Sequence, residues 1–77
     1  MKTAKEMFEK LGYKYKNYAG YISYEKELKN GDCYFISFDY TDKTITKHQV
    51  SDRYLPIEIK ELKAINQQVK ELGWDEN

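Results

Sequence analysis

The sequence predicts an α+β domain with the element order α-β-β-β-α, in which two helices pack on one face of a three-stranded antiparallel meander. Apolar residues recur at helical spacings of three and four near both ends of the chain, and with period two through the middle. The chain has 77 residues, one cysteine and no repeat or linker. A chain of this length has room for one small core, so we expect residues 1–77 to form a single domain.

The first helix is predicted from the segment TAKEMFEKLGY. Thr3 and Glu6 have the spacing of a capping box, in which each side chain accepts a hydrogen bond from the other residue's backbone N–H. Gly12 supplies the left-handed residue that ends a helix. One apolar stripe faces the predicted core, formed by Ala4, Met7, Phe8 and Leu11.

The last helix is predicted from KELKAINQQVKELGW, which ends at Gly73. Its start is less regular, because Glu58 stands where Ser, Thr, Asp or Asn would cap best. Ile57 and Leu62 can still form a hydrophobic staple across that start. Its predicted core stripe is Leu62, Ile65, Val69 and Leu72. Both helices end in Leu-Gly-aromatic, so we expect Tyr13 to pack on Phe8 and Trp74 on Val69.

Two strands are predicted over residues 21–28 and 33–39, joined as a hairpin. A two-residue Asn-Gly turn would place the apolar residues of the second strand opposite the polar face of the first. A three-residue loop that ends at Gly31 instead gathers the apolar residues on one face, and we expect this register because a one-residue slip reverses every side chain. The expected pairs are Ile22 with Phe38, Tyr24 with Ile36 and Lys26 with Tyr34.

A third strand is predicted from Thr44 to His48, after a turn around residues 41–43. A four-residue loop places Ile45 opposite Phe38 on the inner face of the sheet and His48 opposite Phe35 on the outer face. Residues 49–57 have no clear period, and Pro56 lies near their end.

Composition excludes several classes of protein. Thirteen basic residues balance thirteen acidic ones, so no net charge attracts nucleic acid or anionic lipid. The single cysteine suits a reducing compartment, and the chain has no run of 18 apolar residues and no signal-peptide pattern. We therefore expect a cytoplasmic protein without membrane contact.

Catalytic motifs are missing from the sequence. His48 is the only histidine, Cys33 has no base nearby in the predicted fold, and the spacings of metal sites and phosphate-binding loops do not occur. Asp39 and Asp42 flank a turn, where aspartate is favoured for its own backbone bonds. We expect no enzyme activity, no catalytic or metal-binding residues and no cofactor.

The leading functional hypothesis is a protein-binding module that uses the outer sheet face. Two apolar helix stripes can cover only one face of the sheet, which leaves Tyr21, Phe35 and His48 on the other, with Cys33 and Val50 as further members. Aromatic residues carry much of the energy of protein interfaces. The partner is expected to be an unidentified protein or a second copy. The alternative is structural: the rings form cross-strand pairs, or residues 50–56 cover the face.

The alternative function is weak nucleic-acid binding through residues 14–21. Lys14, Tyr15, Lys16 and Tyr18 combine positive charge with rings on which single-stranded bases can stack. Such sites normally include a basic groove, which a neutral chain supplies poorly.

Four stretches carry a resemblance to known proteins: TAKEMFEKLGY, ISYEK, ISFDYTDKTITK and PIEIKELKAINQQVKELGW. They resemble small uncharacterised proteins of phages and mobile elements in low-GC Gram-positive bacteria, which implies an intracellular accessory protein without an assigned activity. The order α-β-β-β-α is also similar to the double-stranded-RNA-binding domain, in topology only. That family has a lysine cluster at the start of its second helix, where this chain has Lys60 and Lys63 interrupted by Glu58 and Glu61.

Overall fold

The computed structural model describes residues 2–49 and 55–75. Their antiparallel sheet has four strands in the order β1-β2-β3-β4. The α+β class and the helix-strand order agree with the sequence prediction, but the sheet has one strand more than the three predicted. The elements are α1 (Ala4–Lys10), β1 (Lys14–Tyr18), β2 (Tyr21–Glu27), β3 (Cys33–Asp39), β4 (Thr44–Gln49) and α2 (Ile59–Leu72).

Helix α1 has the predicted ends. The Thr3 side chain accepts a hydrogen bond from the Glu6 N–H, and the Glu6 carboxylate accepts one from the Thr3 N–H. Gly12 has a φ of 94°. The Tyr13 N–H then donates to the Phe8 carbonyl at 3.0 Å, and the two rings meet edge to face. The chain therefore turns back on the helix and enters the sheet at once.

Strand β1 is the element that the sequence prediction omitted. It pairs with β2 from Lys14 opposite Glu25 to Tyr18 opposite Tyr21, and a turn with Gly20 at a φ of 88° joins the two strands. All five residues of β1 are exposed. Because no apolar residue of β1 enters the core, backbone hydrogen bonds to the edge of β2 hold this strand, and the hydrophobic pattern gives no signal for it.

The strand registers agree with the sequence prediction. Ile22 lies opposite Phe38 and Tyr24 opposite Ile36, with Gly31 at a φ of 86° in the loop. Phe38 in turn lies opposite Ile45. In the turn between β3 and β4, the Asp39 carboxylate accepts the backbone N–H groups of residues 41 and 42, so this aspartate is a turn former as expected.

The core lies between the inner face of the sheet and the two helices. Rings make most of it: Phe8 stacks on Tyr24 with centroids 3.9 Å apart, and Phe38 meets both edge to face. Since residues of both helices join this cluster, both helices pack on the same face of the sheet. Its buried members are Ala4, Phe8, Tyr13, Ile22, Tyr24, Ile36, Phe38, Ala64 and Ile65.

Helix α2 faces the core with three of the four residues of its predicted stripe, and Leu62 is the exception. Ile65 is buried and Val69 and Leu72 pack partly against the core, but Leu62 is 41% exposed. Ile57 is 50% exposed as well, so the predicted staple between Ile57 and Leu62 is not a buried contact. Glu61 and Gln68 are buried instead, because each has a hydrogen-bonding partner on the facing elements.

Candidate functional site

The outer face of the sheet carries the residues that the sequence assigned to partner binding. We use this name for the side chains of β1–β4 that point away from the helices. Alternation along each strand sends Ile22, Tyr24, Ile36 and Phe38 into the core, so their neighbours point outward. In the described residues, no helix covers this outer face.

The strand register arranges the outer face in rows that cross the sheet. One row has Tyr18, Tyr21, Asp39 and Thr44. A second has Lys14, Glu25, Phe35 and His48. Between them lies a row of mostly short side chains, Lys16, Ser23, Ser37 and Thr46.

Phe35 and His48 form one ring pair on this face. The rings stack with centroids 4.8 Å apart and planes 17° apart, and Phe35 is half-buried. This is the cross-strand position that the sequence predicted for them. The stacking reduces the cost of exposing Phe35 to water, and it leaves a flat ring surface on the sheet.

Tyr18 and Tyr21 form a second ring pair. Their rings stack at 4.8 Å, and the Tyr18 hydroxyl donates to the Glu25 carboxylate at 2.9 Å. This hydrogen bond raises the pKa of Tyr18. Because Glu25 lies four residues along β2 from Tyr21, the Tyr18 side chain leans along the sheet past Ser23, which is 2% exposed although it points outward.

The predicted partner-binding residues therefore occupy two separate positions. Tyr21 lies opposite Asp39, four residues from Phe35, a distance of roughly 13 Å along an extended strand. Ser37 donates a hydrogen bond to Ser23 at 3.4 Å in the row between them. Phe35 and His48 are in contact, and Tyr21 pairs with Tyr18 instead. Val50 lies outside the described residues.

The predicted nucleic-acid strip is divided between the two faces of β1. Lys14, Lys16 and Tyr18 point outward, while Tyr15 lies opposite Tyr24 and points to the helix side. There the Lys5 ammonium lies 5.3 Å from the Tyr15 ring centre, and the Tyr15 ring is tilted against Tyr24. The four residues thus share a strand without sharing a surface.

Charges of both signs share the outer face. Lys14 and Lys16 lie on β1, beside Glu25 and Glu27 on β2 and Asp39 at the end of β3. The basic side chains of β1 lie beside the acidic side chains of β2, so the face has no net positive potential. A polyanion would need such a potential to bind.

The remaining candidates for chemistry stand apart from one another. Cys33 is half-buried beside a depression of about 350 Å³ that Lys14, Lys16, Glu25 and Glu27 also line. His48 stacks on Phe35, one row away from Cys33 in the register. No group of three His, Cys, Asp or Glu side chains suited to a metal ion occurs among residues 2–49 and 55–75.

A buried polar network on the inner side was not predicted. The Lys47 ammonium lies 2.7 Å from the Glu61 carboxylate and also donates to the Pro56 carbonyl at 2.7 Å. The Tyr13 hydroxyl donates to the second Glu61 oxygen at 2.6 Å, and the Glu58 N–H donates to the first at 3.1 Å. The Lys47 and Glu61 side chains are 6% and 7% exposed. The Glu61 carboxylate on α2 thereby connects strand β4, through Lys47, with Tyr13 in the link between α1 and β1.

Titration of this network follows from its geometry. Burial alone would raise the pKa of Glu61, but hydrogen bonds from Lys47 and Tyr13 outweigh it and lower that pKa below its ordinary value. Burial, with the hydrogen bond to Glu61, raises the pKa of Tyr13. Two sequence signals exist for this pair. Lys47 alternates with outward residues along a predicted strand, and Glu61 stands three residues after Glu58, but surface charges show the same spacings, so neither signal indicates a buried ion pair.

Comparison with known proteins adds no relative. No protein-family model, curated protein or solved structure matches the chain. Neither helix of the described residues has the length and apolarity that crossing a bilayer requires.

Proposed function

We propose that the chain is a small protein-interaction module that binds another protein through the outer face of its sheet. The observation that carries this proposal is the pair of stacked ring surfaces, Phe35 on His48 and Tyr18 on Tyr21, on a sheet face that neither helix covers. Stacked rings are large, rigid surfaces that lose little conformational entropy on binding, which is why aromatic residues dominate interface energetics.

The charges of the face favour a protein partner. A folded protein can place complementary charges opposite both strands, against Lys14 and Lys16 on β1 and against Glu25 and Glu27 on β2. Such complementarity selects the partner and its orientation. The cross-strand alternative accounts for the stacking of Phe35 on His48, but among the described residues neither helix covers the outer surfaces of the two ring pairs. Residues 50–54, most of the segment that the other structural alternative requires as a cover, lie outside the described residues.

The size of the face indicates a transient complex. Four strands at about 4.8 Å spacing and about six residues at 3.3 Å give a face of roughly 400 Å². A complex over this area buries less than about 1,000 Å² in total, which is the range of weak signalling contacts. We expect affinities in the micromolar range.

Phe35→Ser tests the proposal, with Ile59→Ser as a matched control that removes an apolar residue 67% exposed on α2. Phe35→Ser is expected to cost less than about 1.5 kcal/mol of folding free energy, as a half-buried surface change. Sedimentation of the wild type across concentrations detects a second copy as the partner. A photoreactive amino acid at position 46, between the ring pairs, captures a different protein in cell extract for identification and purification.

The decisive result is the affinity of the purified partner, or of the second copy, for both variants. The proposal expects Phe35→Ser to abolish binding and Ile59→Ser to leave it unchanged. Equal binding by both variants contradicts it. A loss of more than about 3 kcal/mol in Phe35→Ser would identify Phe35 as a core residue and would also contradict the proposal.

Nucleic-acid binding is the second candidate, and the shared outward direction of Lys14, Lys16 and the Tyr18–Tyr21 stack favours it. Single-stranded bases stack on such rings, and each neutralised phosphate adds to the salt dependence of affinity. Titration of single-stranded and double-stranded oligonucleotides at low salt measures it. Binding that weakens steeply with salt and is lost in Lys14→Ala with Lys16→Ala would replace the protein partner by a nucleic acid.

We further propose that the module is cytoplasmic and non-catalytic, as an accessory protein of a phage or mobile element. The half-buried single thiol of Cys33 suits a reducing compartment, and the stacking of His48 on Phe35 gives it a packing role. Turnover of common hydrolase substrates that disappears in His48→Ala or Cys33→Ser would overturn the non-catalytic part.

A further inference from the structure

A cleft of about 450 Å³ lies on the inner side of the sheet, between the start of α1 and the end of α2. We call it the Tyr15–Tyr40 cleft after its two exposed walls, which are 37% and 39% exposed. Its floor is apolar and fully buried, formed by Ile22 and the Tyr24 ring. The pKa of Tyr40 is raised by burial and by the nearby Tyr15.

Gln68 brings a polar group into this cleft from α2. The residue is 6% exposed, and its Oε1 accepts a hydrogen bond from the Tyr24 hydroxyl at 2.5 Å. The Gln68 side chain makes no other hydrogen bond with the described residues. The two N–H groups of its amide therefore remain as donors at the cleft that this residue lines.

Glu71 stands one helical turn further on and supplies an acceptor. Its Oε2 accepts the backbone N–H of Ala4 at 2.7 Å and the Gln67 amide at 3.0 Å, which fixes the carboxylate at the start of α1. Glu71 also lines the cleft, and its Oε1 makes no hydrogen bond with the described residues, so it remains as an acceptor. Donor and acceptor are therefore held side by side on a rigid helix.

The charge around the cleft is balanced. Lys5 lines it and lies over the Tyr15 ring, opposite in sign to Glu71. A single ammonium countered by a carboxylate gives little attraction for a phosphate. The cleft therefore combines flat ring walls, an apolar floor and a polar edge without net charge, and ligand sites of this size typically have this composition.

We propose that the Tyr15–Tyr40 cleft binds an uncharged planar nitrogen heterocycle of nucleobase size, stacked against the exposed tyrosine rings that line it. Gln68 and Glu71 then face the ring edge, where a base presents acceptors and N–H donors in alternation. A carboxylate accepts N–H donors only. Guanine presents two neighbouring donors, N1–H and N2–H2, beside its O6 acceptor, whereas adenine presents a single amino group on that edge, which favours guanine over adenine. The site is on the opposite side of the sheet from the outer face and does not depend on the proposed protein partner.

The test is a titration of the 15N-labelled chain with guanosine, adenosine and guanosine monophosphate, followed by NMR. Guanosine is expected to shift the amides of Tyr15, Tyr40 and Gln68, with a Kd of about 0.1 mM, as about 20 heavy atoms give at ordinary ligand efficiency. Adenosine is expected to bind more weakly. The monophosphate is expected to bind no more tightly than the nucleoside.

Tyr40→Ala is the test variant, with Leu62→Ala as its control, because Leu62 is 41% exposed and does not line the cleft. Loss of one stacking wall is expected to weaken guanosine binding about 5-fold to 150-fold. Tyr15→Leu removes the other wall and is expected to have a similar effect. Leu62→Ala is expected to bind guanosine as the wild type does.

Three outcomes would overturn the proposal. They are no shift at millimolar guanosine, shifts confined to the outer face, and monophosphate binding tighter than nucleoside binding. The cleft and the outer face are tested by different variants. A negative guanosine titration therefore leaves the Phe35→Ser experiment unaffected, and a negative Phe35→Ser experiment leaves the guanosine titration unaffected.

Discussion

Replacing Lys47 by methionine is expected to destabilise the fold, because Lys47 is the cation of a buried ion pair with Glu61. Methionine keeps an apolar stem against the Tyr34 ring, over which the Lys47 ammonium lies at 5.0 Å, and removes the charge. The Glu61 carboxylate then stays buried with hydrogen bonds from Tyr13 and the Glu58 backbone but without its cation.

The magnitude follows from the burial of the pair. Removing one partner of a buried ion pair costs about 3 to 5 kcal/mol, because the remaining charge is uncompensated. A chain of 77 residues has a total stability of about 4 to 11 kcal/mol. We therefore expect a loss of about 3 kcal/mol at pH 7, which corresponds to a decrease of about 12 to 24 °C in Tm for a domain of this size.

The stability loss in Lys47→Met should depend on pH through the ionisation of Glu61. In the wild type, the pKa of Glu61 is lowered from its ordinary value of 4.5, so its stabilising contribution is present above that value and is lost as the pH falls below it. Without Lys47, burial raises the Glu61 pKa, and the variant can take up a proton at a higher pH. The stability difference between wild type and Lys47→Met should therefore decrease from pH 7 to pH 4.

Urea denaturation followed by circular dichroism, repeated at both pH values, measures these quantities. Glu61→Gln and the double variant complete a cycle that isolates the coupling between the two side chains. A loss below about 1 kcal/mol that does not change with pH would show an ordinary solvent-exposed ion pair and would refute the reasoning.

Two further predictions concern the fold. Burial raises the pKa of Tyr13 and Tyr24, so the stability that these neutral phenols provide is complete below about pH 10 and should decrease above it. Denaturation at pH 9 and pH 11 measures this loss of stability, and the loss should be smaller in Tyr13→Phe. An equal loss in both proteins would show that Tyr13 titrates with an ordinary pKa. Gly31→Ala should cost about 1 kcal/mol through its φ of 86° alone, since no atom lies within 4 Å of the added carbon, whereas an unchanged urea midpoint would indicate a different hairpin loop.

The candidate site could be predicted in part. The period-two pattern and the four-residue loop between β3 and β4 placed Phe35 opposite His48, and the Gly31 loop placed Phe35 on the outer face, because register and face follow from alternation once the loop lengths are fixed. The pairing of Tyr21 with Tyr18 was not predicted, since it depends on β1 joining the sheet. The polar edge of the Tyr15–Tyr40 cleft was also missed, because Gln68 and Glu71 resemble ordinary surface residues in the sequence.

The sequence by itself determined both helices, the capped ends of α1, the glycine end of α2, the hairpin register and the placement of the core on one face, because each of these depends on local spacing and backbone geometry. Tertiary structure alone decided the fourth strand and the rotation of α2. Strand β1 forms because β2 presents an unpaired edge next to it. Helix α2 turns Glu61 inward in place of Leu62 because Lys47 and Tyr13, both distant in sequence, offer charge and hydrogen bonds at that position.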